Sequence, residues 1–107
     1  MQRLKLTYRY QDGVIKAVRY RDNSDVIFEI DLCGCCNASP GSITLSMLGL
    51  RNFTEVHRIL ESVKRTNSKR DYIDEIVGIV RDDERGYLFD LATAGAVRFD
   101  AQGLFEA

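Results

Sequence analysis

Outside positions 33–36 the 107-residue chain has no cysteine, and it holds one histidine, one proline and no long apolar run. Without a stretch of about 18 apolar residues, no membrane-spanning helix is expected. Residues 1–10 alternate charged and apolar side chains and lack the apolar centre of a signal peptide, so a cytoplasmic protein with reduced thiols is expected. There is no phosphate-cradling glycine loop, no HExxH and no nucleophile elbow. The candidate nucleophiles, thiols and serines, have no recognisable base at motif spacing, and His57 alone makes no catalytic set. The expectation is a non-enzyme without a cofactor.

What is present is ordinary globular material. Hydrophobic residues make up 45% of the chain and charged residues 29%, enough for a real core in a single domain spanning residues 1–107. Neither a metal nor a disulfide is needed merely to fold it.

The cysteines stand together as Cys33-Gly34-Cys35-Cys36. As a metal site, Cys33, Cys35, Cys36 and His57 are the only thiol and imidazole candidates, one donor pair short of the usual zinc arrangement. Cys33 and Cys36 have the C-x-x-C spacing of redox motifs, but that motif belongs at a helix start, whereas here it ends a strand and runs towards a Pro-Gly turn. Packing is the simpler reading, since cysteine is a small, readily buried hydrophobe.

Periodicity gives the elements. Leu4, Leu6, Tyr8 and Tyr10 alternate with Lys5, Thr7 and Arg9, a strand with one buried face. After the turn at Gln11-Asp12-Gly13, Val14, Val18 and Tyr20 alternate with Ile15, Ala17, Arg19 and Arg21, with Lys16 interrupting the apolar face. Third and fourth strands follow over Val26–Leu32 and Ile43–Met47. Then the period changes: Phe53, Val56, Leu60 and Val63 recur at helical spacing, with Asn52 and Glu55 placed to form a capping box. One principal helix over residues 53–66 is expected. Residues 71–82 fit either a helix or a strand, and the β-branched content of Glu75–Arg81 favours the strand. A hairpin arm over Tyr87–Leu91, a strand over Ala96–Ala101 and a short ending at Leu104-Phe105 complete the series. The fold class is α+β: a mainly antiparallel sheet of six to seven strands with the helix after the fourth strand.

Charge is unevenly spread. Residues 1–70 hold twelve Lys/Arg against seven Asp/Glu, whereas residues 71–107 hold three against nine. The basic half suggests a nucleic-acid face, with Arg3, Lys5, Arg9, Arg19 and Arg21 beside Tyr8, Tyr10 and Tyr20. Alternation sends those tyrosines to the core, however, and a pI of about 5.8 is low for a nucleic-acid binder. Cross-strand ion pairs of Glu29 and Asp31 with Arg9 or Arg19 are the simpler account of that face.

Ile43–Leu50 followed by Asn52-Phe53, and the meander Gly86–Leu91 with Ala96–Leu104, resemble small bacterial immunity-type proteins of polymorphic toxin and contact-dependent inhibition systems. The likeness runs over roughly the last two thirds of the chain and rests on strand rhythm. It implies a cytoplasmic, non-catalytic protein that blocks a toxin domain by binding it, often presenting acidic groups to a basic nuclease. The partner-binding candidates are Asp71, Asp74, Glu75, Asp82, Asp83 and Glu84. A thiol-based metal or redox module at the cysteines and a nucleic-acid module at the basic hairpin are the alternatives.

Overall fold

The computed structural model describes residues 8–34, 41–82 and 86–107, the side chains of residues 80–82 excepted. In chain order the elements are β1 (Val14–Arg21), β2 (Asp25–Asp31), β3 (Ser42–Leu48), α1 (Phe53–Thr66), β4 (Asp74–Asp82), β5 (Gly86–Leu91), β6 (Gly95–Phe99) and β7 (Gly103–Glu106). The described strands form one antiparallel sheet in the order β6-β5-β4-β1-β2-β3-β7, which makes the fold α+β. Of the ambiguous residues 71–82, Asp74–Asp82 form a strand and residues 71–73 a bend. The helix has the expected bounds but follows the third strand rather than the fourth. Of the expected first strand, residues 4–7 lie outside the described residues, and Tyr8–Tyr10 are not in a strand. At Val14 and Ile15 both edges of β1 are occupied, one by β2 and the other by Glu75 and Asp74 of β4. No helix among the described residues is long and apolar enough to cross a membrane.

The β1–β4 junction involves only those two residue pairs, and the sheet curls about it. Phe28 of β2 and Phe99 of β6 are four strands apart, about 19 Å across a flat sheet at normal strand spacing. Their ring centroids nevertheless lie 5.7 Å apart, edge to face, and Phe89 of β5 packs 5.0 Å from Phe99. The two wings therefore close over a shared core of Phe28, Phe89, Phe99, Ile30, Leu45 and Met47, with Val56, Leu60 and Val63 of α1 buried as well. Each fully buried large side chain contributes about 1.5–3 kcal/mol of burial.

Two departures from simple alternation shape the surface. In β1 the register slips between Ile15 and Ala17, so Ile15, opposite Ile30, joins Val18 and Tyr20 on the core side and Lys16 has no cross-strand partner in β2. Ile15, expected on the outer face, is thus fully buried. In β4 a second slip between Ile76 and Gly78 leaves Val77 without a partner in β5. A bulge adds one residue to one strand and redirects its side chain.

The helix is held at both ends by asparagines. Asn52 precedes its first turn but makes no side-chain cap, and Glu55 is exposed, so the expected capping box is absent. The Asn52 amide instead donates to the Arg98 carbonyl at 2.8 Å, and its Oδ1 accepts from the Asp100 N–H at 3.1 Å. These bonds tie the helix start to the end of β6. At the other end the Asn67 amide donates to the Ile73 carbonyl at 2.7 Å and to Thr93 Oγ1 at 3.0 Å, linking the helix to the start of β4 and the β5–β6 turn.

Candidate protein-interaction surface

The six acidic candidates do not form one group. Asp74, the first residue of β4, is 1% exposed. Its Oδ1 accepts from the N–H groups of Glu75 at 2.8 Å and Thr93 at 2.9 Å, and its Oδ2 accepts from the Ala94 N–H at 3.0 Å. Asp74 is spent on closing the β5–β6 turn against β4 and leaves the candidate surface. Asp71 is 89% exposed and lies 3.8 Å from Lys16 Nζ, a weak pair in open solvent. Glu75 is exposed on β4. Asp82 is paired with Gly86 at the end of β4, and its side chain is not described. Asp83 and Glu84 lie outside the described residues.

The register supplies residues that sequence reading did not single out. Asp90 lies opposite Gly78 of β4 and Ala96 of β6. It is exposed because its neighbours Phe89 and Leu91 take the core side. Leu88, Ala96 and Arg98 alternate out in the same way, and Arg98 lies opposite Leu88. Val77, sent outward by the bulge, is 49% exposed. The outer face of β4–β6 thus carries an apolar side chain between carboxylates, Glu75 two residues before it and Asp90 opposite the next residue. Among the described residues the other strongly exposed large apolar residue is Phe105, 56% exposed on β7 in the other wing. Alternation of Phe89 with Asp90 was readable in advance, but the bulge at Val77 depends on the partner strand.

The remaining candidates are partly described, and those that are have partners of their own. Cys33 follows β2, is partly exposed and is disulfide-bonded, so the expectation of reduced thiols fails for it; Cys35 and Cys36 lie outside the described residues. His57 is exposed on α1, its ring stacked on Phe53 at 5.7 Å and edge-on to Tyr20 at 4.5 Å. Among the described residues no group of three or more His, Cys, Asp or Glu is placed to hold a metal ion. On the basic hairpin, Arg19 pairs with Glu29 at 3.0 Å and Arg21 with Asp25 at 2.9 Å. Arg3 and Lys5 lie outside the described residues.

The tyrosines expected in the core are also committed. Tyr10 is buried, and its hydroxyl donates to the Glu106 carboxylate; burial, then that bond, pushes its ionisation well above the ordinary range. The half-buried Tyr20 donates to Glu61 Oε2 at 2.7 Å, and burial, then that bond, raises it likewise. The same bond is the main cause holding the Glu61 carboxyl below its usual range. Asp25 is also lowered, chiefly by the Gly49 N–H donating to its Oδ1 at 2.9 Å and further by Arg21.

Comparison with protein-family models, curated proteins and solved structures finds no significant match to this chain.

Proposed function

We propose that the protein is a non-catalytic binding module that neutralises a protein partner, in the manner of an inhibitor or immunity protein, through the outer face of β4–β6. The observation that carries this reading is the exposure of Val77 at a bulge, with Glu75 and Asp90 beside it. An exposed apolar side chain bordered by charged ones follows, on a small scale, the apolar-centre and polar-rim plan of protein interfaces. The acidic rim fits a partner with a basic surface, such as a nuclease-type toxin domain, because opposite potentials speed association and suppress wrong partners. The buried Asp74 contributes only by holding the β5–β6 turn in place.

The test is affinity capture from the native host, followed by reconstitution of the purified pair. Val77→Lys and the pair Glu75→Lys/Asp90→Lys abolish complex formation on a sizing column, whereas Phe105→Ser leaves it intact. Failure to reconstitute any complex, or a complex indifferent to the β4–β6 variants, defeats the proposal.

The disulfide at Cys33 favours a second reading, a thiol–disulfide module at the cysteine cluster. It requires the bridge to open reversibly with a dithiol reductant under native conditions, as read by mass after alkylation. A bridge that opens only on denaturation rules this out.

A further inference from the structure

We propose that the cleft at the C-terminal end of α1 is a binding site for a small phosphate-bearing anion. The cleft is shallow and open to solvent, with a volume of about 280 Å³, just below the usual range for small-ligand sites. Three chain segments bound it: the β1 bulge, the last turn of α1, and the loop from Asn67 to Ile73, which is fixed to β1 by the Ile73 N–H donating to the Ile15 carbonyl at 2.7 Å. Each segment contributes one cation, Lys16, Lys64 and Arg70, and among the described residues the only carboxylate in the lining is Asp71. Among the described residues the lining has a formal surplus of two positive charges, which suits a multiply charged anion.

The donors favour an oxyanion over a simple halide, and three cations favour a multiply charged phosphate over a single carboxylate. Lys16 lines this cleft because it is the bulged residue of β1, without a partner in β2. Bulges recur where a strand redirects a side chain for use. The Arg70 guanidinium donates to the Tyr72 hydroxyl at 2.6 Å and lies 5.7 Å from the centre of that ring, which limits its orientations. The guanidinium carries further donors in the fork geometry that suits phosphate oxygens. Two of the three cations have a carboxylate within ion-pair distance, and among the described residues Arg70 has none. The only ion pair linking two residues of the lining is Lys16–Asp71 at 3.8 Å, made with a carboxylate that is almost fully exposed. Lys64 is 3.5 Å from Glu61, one turn back on the helix, which reduces but does not remove its contribution. The site is distinct from the β4–β6 face and does not depend on it.

The experiment is an NMR titration of the full chain with inorganic pyrophosphate at low ionic strength, against sodium chloride at matched ionic strength. Saturable shifts at residues 16, 64 and 67–73 are expected with pyrophosphate alone. Lys16→Gln and Arg70→Gln each weaken binding about tenfold, the loss of one charge-assisted hydrogen bond. Asp71→Asn, at an exposed position, strengthens binding severalfold by removing the competing carboxylate. Non-saturating shifts that sodium chloride reproduces overturn the proposal, as does affinity indifferent to Lys16 and Arg70. Tighter binding of a single-stranded oligonucleotide through the same two residues also overturns it, since the site would then serve a polymer backbone.

Discussion

Replacing Asp74 separates scaffold from surface most sharply. The carboxylate accepts three backbone N–H bonds of 2.8–3.0 Å while 1% exposed. In Asp74→Ala these amides lose their acceptor. A buried donor left unpaired costs about 1–3 kcal/mol. Thr93 is exposed and Ala94 half-buried, so water can replace part of the loss, and the lower figure applies to each. The expected destabilisation is about 3 kcal/mol, a large fraction of the roughly 5–15 kcal/mol that holds a domain together. Asp74→Asn is milder. The retained oxygen still serves Glu75 and Thr93, while the amide nitrogen faces the Ala94 N–H as donor against donor, for about 1–2 kcal/mol. Urea unfolding followed by far-UV circular dichroism reads both. With a slope of about 1.5 kcal/mol per molar, the alanine variant loses about 2 M in midpoint and the asparagine variant about half that. Equal midpoints for Asp74→Ala and the parent at unchanged slope refute the structural assignment. So does an asparagine variant as damaging as the alanine one.

Three further outcomes follow from the same contacts. Asp25 has its carboxyl lowered in the folded state by the Gly49 N–H and Arg21, so its contribution is full above the ordinary Asp range near about 3.9 and is lost as pH falls through the folded value; thermal melts between pH 6 and pH 2 should therefore decline more steeply for the parent than for Asp25→Asn. Tyr20→Phe removes the bond to Glu61 and, at a half-buried position, should cost about 1 kcal/mol in urea unfolding, while Glu61 titrates closer to its ordinary value by carbon-detected NMR. Gly86→Ala puts a Cβ into the Phe99 carbonyl at a backbone φ of +134°, and since the obstacle is main chain rather than a movable side chain, loss of soluble folded protein is expected, read as loss of near-UV signal.

The sequence was most informative where a single face decides a residue's place. In β2, Val26, Phe28 and Ile30 alternate with Ile27, Glu29 and Asp31, and all three of the first set are fully buried. The helix was equally plain, because Phe53, Val56, Leu60 and Val63 have no reading at period two. What stayed hidden was set by partners distant in sequence. The slip that buries Ile15 and turns Lys16 aside is a property of the β1–β2 pairing. Asn52 has the spacing of a cap, and only the approach of β6 gives its side chain a different use.

The same reasoning explains why counting charge misdirected part of the site prediction. Asp74 and Glu75 are adjacent and identical in charge, and both entered the acidic half equally. One strand position separates a carboxylate enclosed by three amides from one facing solvent. A buried carboxylate whose oxygens already accept three backbone N–H groups has no surface and no free acceptor to offer a partner. The functional reading therefore rests on register, which places Glu75, Val77 and Asp90 on the outer face and removes Asp74 from it. Two single substitutions check this division. Glu75→Gln and Asp90→Asn, on neighbouring strands, each leave stability within about 0.5 kcal/mol of the parent, as surface changes do. If the proposed function holds, the charge losses instead slow association with a basic partner, an effect that fades as salt rises. If those two variants unfold the protein while Asp74→Ala leaves it intact, the outer face is scaffold, and the division between stability and binding drawn from the register is reversed.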